Sequence, residues 1–185
     1  LRMLYKTKVI ASLEGQDVIL RNARGEDAEK LIHYMKATAE ETQFLIREPN
    51  ETEDMTVEQE IAFIHSRNES SADLFLVAEC GDCLVGACSF MGKGNFSRYA
   101  HRCDVSIALY KKYHGKGIGT AMMDEILAAA KRTGYEQAEL EVISENRNAI
   151  KLYEKLGFQK YGTFPHNMKY TDGSYADADW MLKWL

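Results

Sequence analysis

The segment that most restricts the fold of this chain runs from Cys103 to Ile143. Cys103 to Tyr110 (CDVSIALY) reads as a strand, and it enters a glycine-rich loop at Tyr113–Thr120. From about Gly117 to Thr133 the period changes to helical, with Ile118, Met122, Ile126 and Ala129 or Ala130 on one face. Gly134 stands where a helix C-cap wants a residue without Cβ. Gln137 to Ile143 (QAELEVI) then alternates cleanly as a second strand. This is the chain's one β-α-β crossover, so everything around it must accommodate a parallel strand pair.

The flanking elements read as follows. Val18–Asn22 is a first strand, and Arg24-Gly25-Glu26-Asp27 enters a helix whose Ala28, Leu31, Ile32 and Met35 share a face. A second helix follows Thr56, whose hydroxyl and Gln59 make a capping-box pattern, with Val57, Ile61 and Ile64 inward. Asp73–Glu79 and Cys83–Phe90 flank Gly81-Asp82 as a hairpin. A short helix at Asn148–Leu156 closes on Gly157, and strands around Phe158–Phe164 and Tyr175–Trp184 end the chain. The order implies a single α/β domain over residues 1–185, with a mixed, mostly antiparallel central sheet and about four helices. Leu1-Arg2-Met3 is read as a remnant of expression, with Met3 as the alternative start.

Charge narrows the function classes. Lys plus Arg number 23 against 28 Asp plus Glu, a formal net charge of −5. An acidic chain is a poor general binder of nucleic acid or anionic membrane. No apolar run reaches the roughly 20 residues that span a bilayer, and no charged-then-apolar leader is visible, so a cytoplasmic protein is expected.

The loop Tyr113-His114-Gly115-Lys116-Gly117-Ile118-Gly119-Thr120 carries the densest chemical signal. A helix start leaves N–H groups unpaired and positively polarised, and glycines let a phosphate approach the backbone. Lys111, Lys112 and Lys116 add local positive charge. The spacing fits neither the GxxxxGK[ST] loop nor GxGxxG, since counting from Gly115 the third glycine would fall at Thr120.

A second motif follows: Asn146-Arg147-Asn148-Ala149-Ile150-Lys151-Leu152-Tyr153-Glu154-Lys155-Leu156-Gly157-Phe158. The pair of motifs, at this separation, resembles the GCN5-related N-acetyltransferase (GNAT) superfamily. Arg98-Tyr99-Ala100-His101 and Gly173-Ser174-Tyr175-Ala176-Asp177 look especially like a bacterial subgroup. The resemblance implies a fold with a splay between two central strands for coenzyme A, a cofactor core at about 103–158, and acetyl-CoA as acyl donor to a primary amine. It places the pantetheine arm on the backbone of Ile107 and Leu109, the pyrophosphate on the amides of Gly115, Lys116, Gly117, Ile118, Gly119 and Thr120, and a further hydrogen bond on Asn146. Arg147 and Lys151 are weaker candidates for the remaining phosphate. His114 departs from the usual Gln or Arg and is expected to contact the cofactor.

Transfer from a thioester to an amine needs a proton donor for the thiolate and an acceptor for the amine proton. The resemblance puts Tyr153 in the first role and Asp104 in the second, with Glu79 and His101 in reserve. Tyr153 also reads as a core residue, and Asp104 as an ion-pair partner of Arg102 or His101. Glutamates between 40 and 58 suit a cationic small-molecule or peptide amine, or merely a solvated loop and a helix N-terminus. Two rivals stand beside the enzyme: an acyl-CoA-binding sensor without chemistry, and a zinc-stabilised module using Cys80, Cys83, His101 and Cys103. No metal is expected on the main reading. Trp180, Met181 and Trp184 leave a homodimer open, with core packing as the plainer account.

Overall fold

The computed structural model describes residues 4–94 and 96–185; the reading of residues 1–3 lies outside them. Eight strands form one sheet: β1 (Lys8–Leu13), β2 (Gln16–Asn22), β3 (Leu74–Cys80), β4 (Cys83–Gly92), β5 (Arg102–Leu109), β6 (Gln137–Ile143), β7 (Gln159–Lys169) and β8 (Tyr175–Trp184). Among the described residues four α-helices accompany them: α1 (Ala28–Glu41), α2 (Val57–Glu69), α3 (Ile118–Thr133) and α4 (Arg147–Lys155). The sheet order is β1-β2-β3-β4-β5-β6-β8-β7, antiparallel except where β5 meets β6. Among the described residues no helix is long and apolar enough to cross a membrane.

α3 lies against one sheet face. Its Ile118, Met122, Met123 and Ile126 are fully buried among β-strand residues such as Val105, Phe90 and Leu140. Each such side chain contributes about 1.5–3 kcal/mol by leaving water, which makes this crossover helix the main anchor of the core. Its end follows from local chemistry: Gly134 adopts φ +105 and its N–H meets the carbonyls of Ala130 and Lys131, while Lys131 and Arg132 oppose the negative pole. α1 and α2 cover part of the other face, where Ala28, Leu31, Tyr34 and Ile64 pack on Val77 and Leu84.

The Thr56–Gln59 capping box forms reciprocally, at 3.1 and 3.2 Å. The structure adds two local elements and corrects one expectation. Lys8–Leu13 is a strand; it is an edge with little burial, so it lacks the alternation that marks β2. Gly25–Asp27 is a turn of 3-10 helix ahead of α1. Val57 is 39% exposed and Glu60 is buried instead. Glu60 and Ile64 stand at i and i+4, so the inward stripe runs through them and leaves Val57 in the solvated first turn. Burial pushes the Glu60 carboxyl above its ordinary range.

Candidate active site

β5 and β6 share only three rungs, Arg102↔Gln137, Cys103↔Ala138 and Asp104↔Glu139. Beyond Asp104 the two strands continue to Leu109 and Ile143 without pairing, so they open into a splay. On its other edge β5 stays zipped to β4 as far as Gly86↔Leu109. The edge of β5 that carries Ile107 and Leu109 toward β6 is therefore free to receive an extended ligand arm as an added strand.

The glycine loop lies at the end of β5. Gly115 and Gly117 adopt φ +72 and +80, and a Cβ built on either would meet open space. The amides of Gly115, Lys116, Gly117, Ile118, Gly119 and Thr120 donate to no acceptor among the described residues. Such a run at the positive pole of a 16-residue helix suits a pyrophosphate. The side chain of Ile118 is buried, so only its amide is available. Gly119 serves packing instead: a Cβ there would sit 3.1 Å from Leu109 Cδ1, so this glycine lets α3 approach β5. Lys112 and Lys116 lie over the Tyr113 ring at 5.1 and 5.7 Å, which keeps two ammonium groups beside the loop.

His114 contacts the chain itself: its Nε2 is 3.1 Å from the Leu109 carbonyl, latching the loop onto the strand it follows. The Leu109 oxygen, one of the groups expected on the pantetheine arm, thus already has a partner. Asn146 caps α4 by accepting the Ala149 N–H at 3.3 Å, which leaves its amide NH₂ group for a ligand.

Tyr153 is 8% exposed, and its ring meets Phe158 edge-on at 5.9 Å between centroids. Its hydroxyl has no hydrogen-bond partner among the described residues. Burial pushes the phenol up to about 12, so it holds its proton at neutral pH. A partly enclosed hydroxyl with its proton uncommitted is equipped to serve a ligand atom.

Asp104 faces the side of the sheet on which α1 and α2 lie, as do Ser106 and Ala108 two and four residues on. Its partner is Lys93 at 2.6 Å, in place of the expected Arg102 or His101. Lys93 also reaches Glu139 at 3.3 Å, and Arg102 grips Glu139 through Nε and Nη2. Burial would raise Glu139, but Arg102 and Lys93 hold it below the usual carboxylate range. Burial likewise acts to lower Lys93, and Asp104 with Glu139 outweighs it, so the ammonium stays charged. Of the reserves, Glu79 is committed to Arg21 at 2.9 Å within a buried network with Asp27. His101 stands immediately before β5, where its carbonyl accepts the N–H groups of Glu136 and Gln137.

The sheet register separates the four zinc candidates. Cys80 and Cys83 face each other across the hairpin, while Cys103 pairs with Gly92 nine residues further along β4, about 30 Å away. The acidic segment is largely occupied with local structure: Glu51 accepts the Glu48 N–H at 2.8 Å, and Glu53 lies 3.7 Å from Lys36. Glu41 reaches the site region, accepting the Lys111 N–H at 2.7 Å just before the glycine loop.

Sequence reasoning missed the Lys93–Asp104–Glu139–Arg102 cluster, because it joins β5, β6 and the segment after β4. It also missed the Ser89–Ser106 hydroxyl pair at 2.7 Å and the Tyr34 hydroxyl on the Ala108 carbonyl at 2.7 Å. The even positions of β5 carried the only available signal, a polar alternation opposite Cys103, Val105 and Ile107.

Known proteins are similar to this chain in sequence and in fold. An N-alpha-acetyltransferase of Saccharolobus solfataricus is 31% identical over 176 residues, covering 90% of each chain. An L-amino acid N-acetyltransferase of Escherichia coli is 32% identical over 89 residues, 46% of this chain and 53% of that protein. Among solved structures, a GNAT-family acetyltransferase from Streptococcus pneumoniae superposes with a TM-score of 0.85 at 23% identity, over 91% of this chain and 99% of that one. The structure of yncA from Salmonella typhimurium with its cofactor acetyl-CoA gives 0.78 at 20% identity, over 91% and 94%. These two likenesses speak to the fold alone. The model of the acetyltransferase (GNAT) family matches residues 30–158, which include the splay, the glycine loop and α4, and the chain belongs to this family of acetyltransferases.

Proposed function

We propose that this chain moves an acetyl group from acetyl-CoA to a primary amine by direct attack within a ternary complex. The observation that carries the reading is the splay of β5 from β6 beside six unpaired amides at the start of α3. Those amides suit the pyrophosphate and the free β5 edge suits the amide-bearing pantetheine, so the residues present fit the coenzyme. Acetyl-CoA supplies an activated acyl carbonyl on a sulfur leaving group. A neighbouring fold solved with that cofactor supports the same choice.

In this reading Tyr153 holds a proton for the departing sulfur, since its hydroxyl is protonated and otherwise unengaged. Asp104, kept beside Lys93 on the α1/α2 side of the sheet, receives the amine proton through water. A main-chain N–H in the Leu109 region faces the acyl oxygen. The relatives are named as an N-alpha-acetyltransferase and an L-amino acid N-acetyltransferase, which supports a small-molecule or peptide amine as the acceptor. The reading calls for neither a metal nor a second protein.

A panel of polyamines, amino acids and N-terminal peptides, assayed for acetyl-CoA-dependent thiol release, tests the proposal. Turnover with at least one amine is expected. Tight acetyl-CoA binding with no thiol release for any amine would identify an acyl-CoA sensor instead.

A further inference from the structure

The four cysteines fall into two classes once the sheet is assembled. Cys88 on β4 and Cys103 on β5 are fully buried in the core that α3 covers. Burial pushes the Cys103 thiol up to about 12 and raises Cys88 as well, so neither supplies a thiolate.

Cys80 and Cys83 stand apart, at the tip of the β3–β4 hairpin. Gly81 and Asp82 form its two-residue turn, with Gly81 at φ +58, and the register pairs Cys80 directly with Cys83. Residues opposed in this way carry their side chains on one sheet face, with Cα atoms roughly 4.5–5.5 Å apart. A disulfide takes a Cα separation of roughly 4.4–6.8 Å, so the backbone already lies within bridging range. The two thiols differ in access. Cys83 is exposed, whereas Cys80 is buried beside the turn. The Cys80 thiol donates to Oε1 of the exposed Gln16 at 3.7 Å, so a polar group at the start of β2 holds its sulfur near the surface. An exposed thiol next to a shielded one is the arrangement of an attacking and a resolving cysteine. The pair is remote from the proposed acetyl transfer: Asp104 pairs with Met91, eight residues further along β4 than Cys83.

We infer that Cys83 and Cys80 form a dithiol site that reduces low-molecular-weight disulfides, closing a reversible bond across the turn. This goes beyond acetyl transfer and does not depend on it. The Cys83 thiolate attacks one sulfur of the small disulfide, whose S–S bond breaks to release one thiol carrying the proton that Cys83 gave up. The Cys80 sulfur then attacks Cys83 Sγ, gives up its own proton and expels the second small thiol. The protein loses two electrons and two protons, and the small disulfide becomes two thiols.

Incubating the folded protein with excess glutathione disulfide tests the inference, read by intact mass and by peptide mapping after free thiols are alkylated. The wild type is expected to lose two hydrogens and to retain no glutathione. Cleavage before Asp82, between the two cysteines, then leaves the fragments joined until a reductant is added. Cys80→Ala lacks the resolving thiol and accumulates one glutathione on Cys83. Cys83→Ser reacts at least about tenfold more slowly than the wild type, since only shielded thiols remain. Wild-type thiols that stay free, glutathione that persists on wild-type Cys83, or oxidation of Cys88 and Cys103 at the same rate overturns the inference.

Discussion

Replacing Tyr153 by Phe separates a proton donor from a core residue. The ring is buried against Phe158, and Phe fills the same volume in the same edge contact. The hydroxyl has no partner among the described residues, so its removal strands no buried acceptor. Stability is therefore expected to change by no more than about 0.5 kcal/mol. Tyr34 supplies the contrast. Its hydroxyl donates to the Ala108 carbonyl at 2.7 Å, so Tyr34→Phe leaves that oxygen short of a donor and costs about 1–2 kcal/mol. Activity should behave in the opposite way. Loss of a general acid lowers kcat by about 10²–10⁴-fold. Acetyl-CoA affinity should shift by less than about twofold, since the proton is needed only as the sulfur departs. Thiol release at saturating acetyl-CoA and amine measures the first quantity, calorimetry the second, and thermal melts the stability of both variants. The pH profile adds a sign. The neutral phenol is the donor and burial pushes it up to about 12, so its contribution persists below that pH and is lost only above it. Tyr153 should thus impose no falling limb between roughly pH 7 and 10. Unchanged turnover in Tyr153→Phe, or a melting loss like that of Tyr34→Phe with activity retained, refutes the donor role.

Further outcomes follow from individual contacts. Gly117 holds φ +80 at the N-cap of α3, so Gly117→Ala should cost about 1–2 kcal/mol, seen as a drop in Tm of several degrees, and should weaken acetyl-CoA binding in calorimetry. Asp104→Asn should lower kcat by at least about tenfold with little change in acetyl-CoA affinity, and full activity would assign Asp104 to the Lys93 ion pair alone. Asp27 grips the buried Arg21 at 2.7 and 2.9 Å; Asp27→Ala leaves that charge with Glu79 only and should cost about 3–5 kcal/mol in urea unfolding. Burial would raise Asp27, but Arg21 and the Arg24 amide hold it below the usual range. Its stabilisation is therefore present above the unfolded value near ~3.9 and lost as pH falls through the depressed folded value, so the variant should show a weaker acid-side loss than the wild type.

Helix α3, strand β6 and the capping box of α2 could be read directly from the chain, because each is specified by neighbours within a few residues. Gly117 and Gly134, with their positive φ, mark the two ends of α3. Lys8–Leu13 bears no such mark, because an edge strand buries little and so needs no alternating pattern. Val57 is exposed where an inward place was expected, and Glu60 is buried, because the packing of α2 on α1 set the helix's rotation.

The sequence by itself determined a β-α-β crossover with a phosphate-receptive loop at the helix start, since glycine positions and helical period are local properties of covalent geometry. It also marked Tyr153 and Asp104 as residues of interest through a family resemblance. Only the tertiary structure decided what surrounds them. The pairing of Asp104 with Lys93 and the meeting of Glu141 with Trp180 each join residues that sheet register brings together. Register depends on how the two faces of the sheet are buried, a property of the whole assembled core, so no spacing along the chain could have announced those contacts.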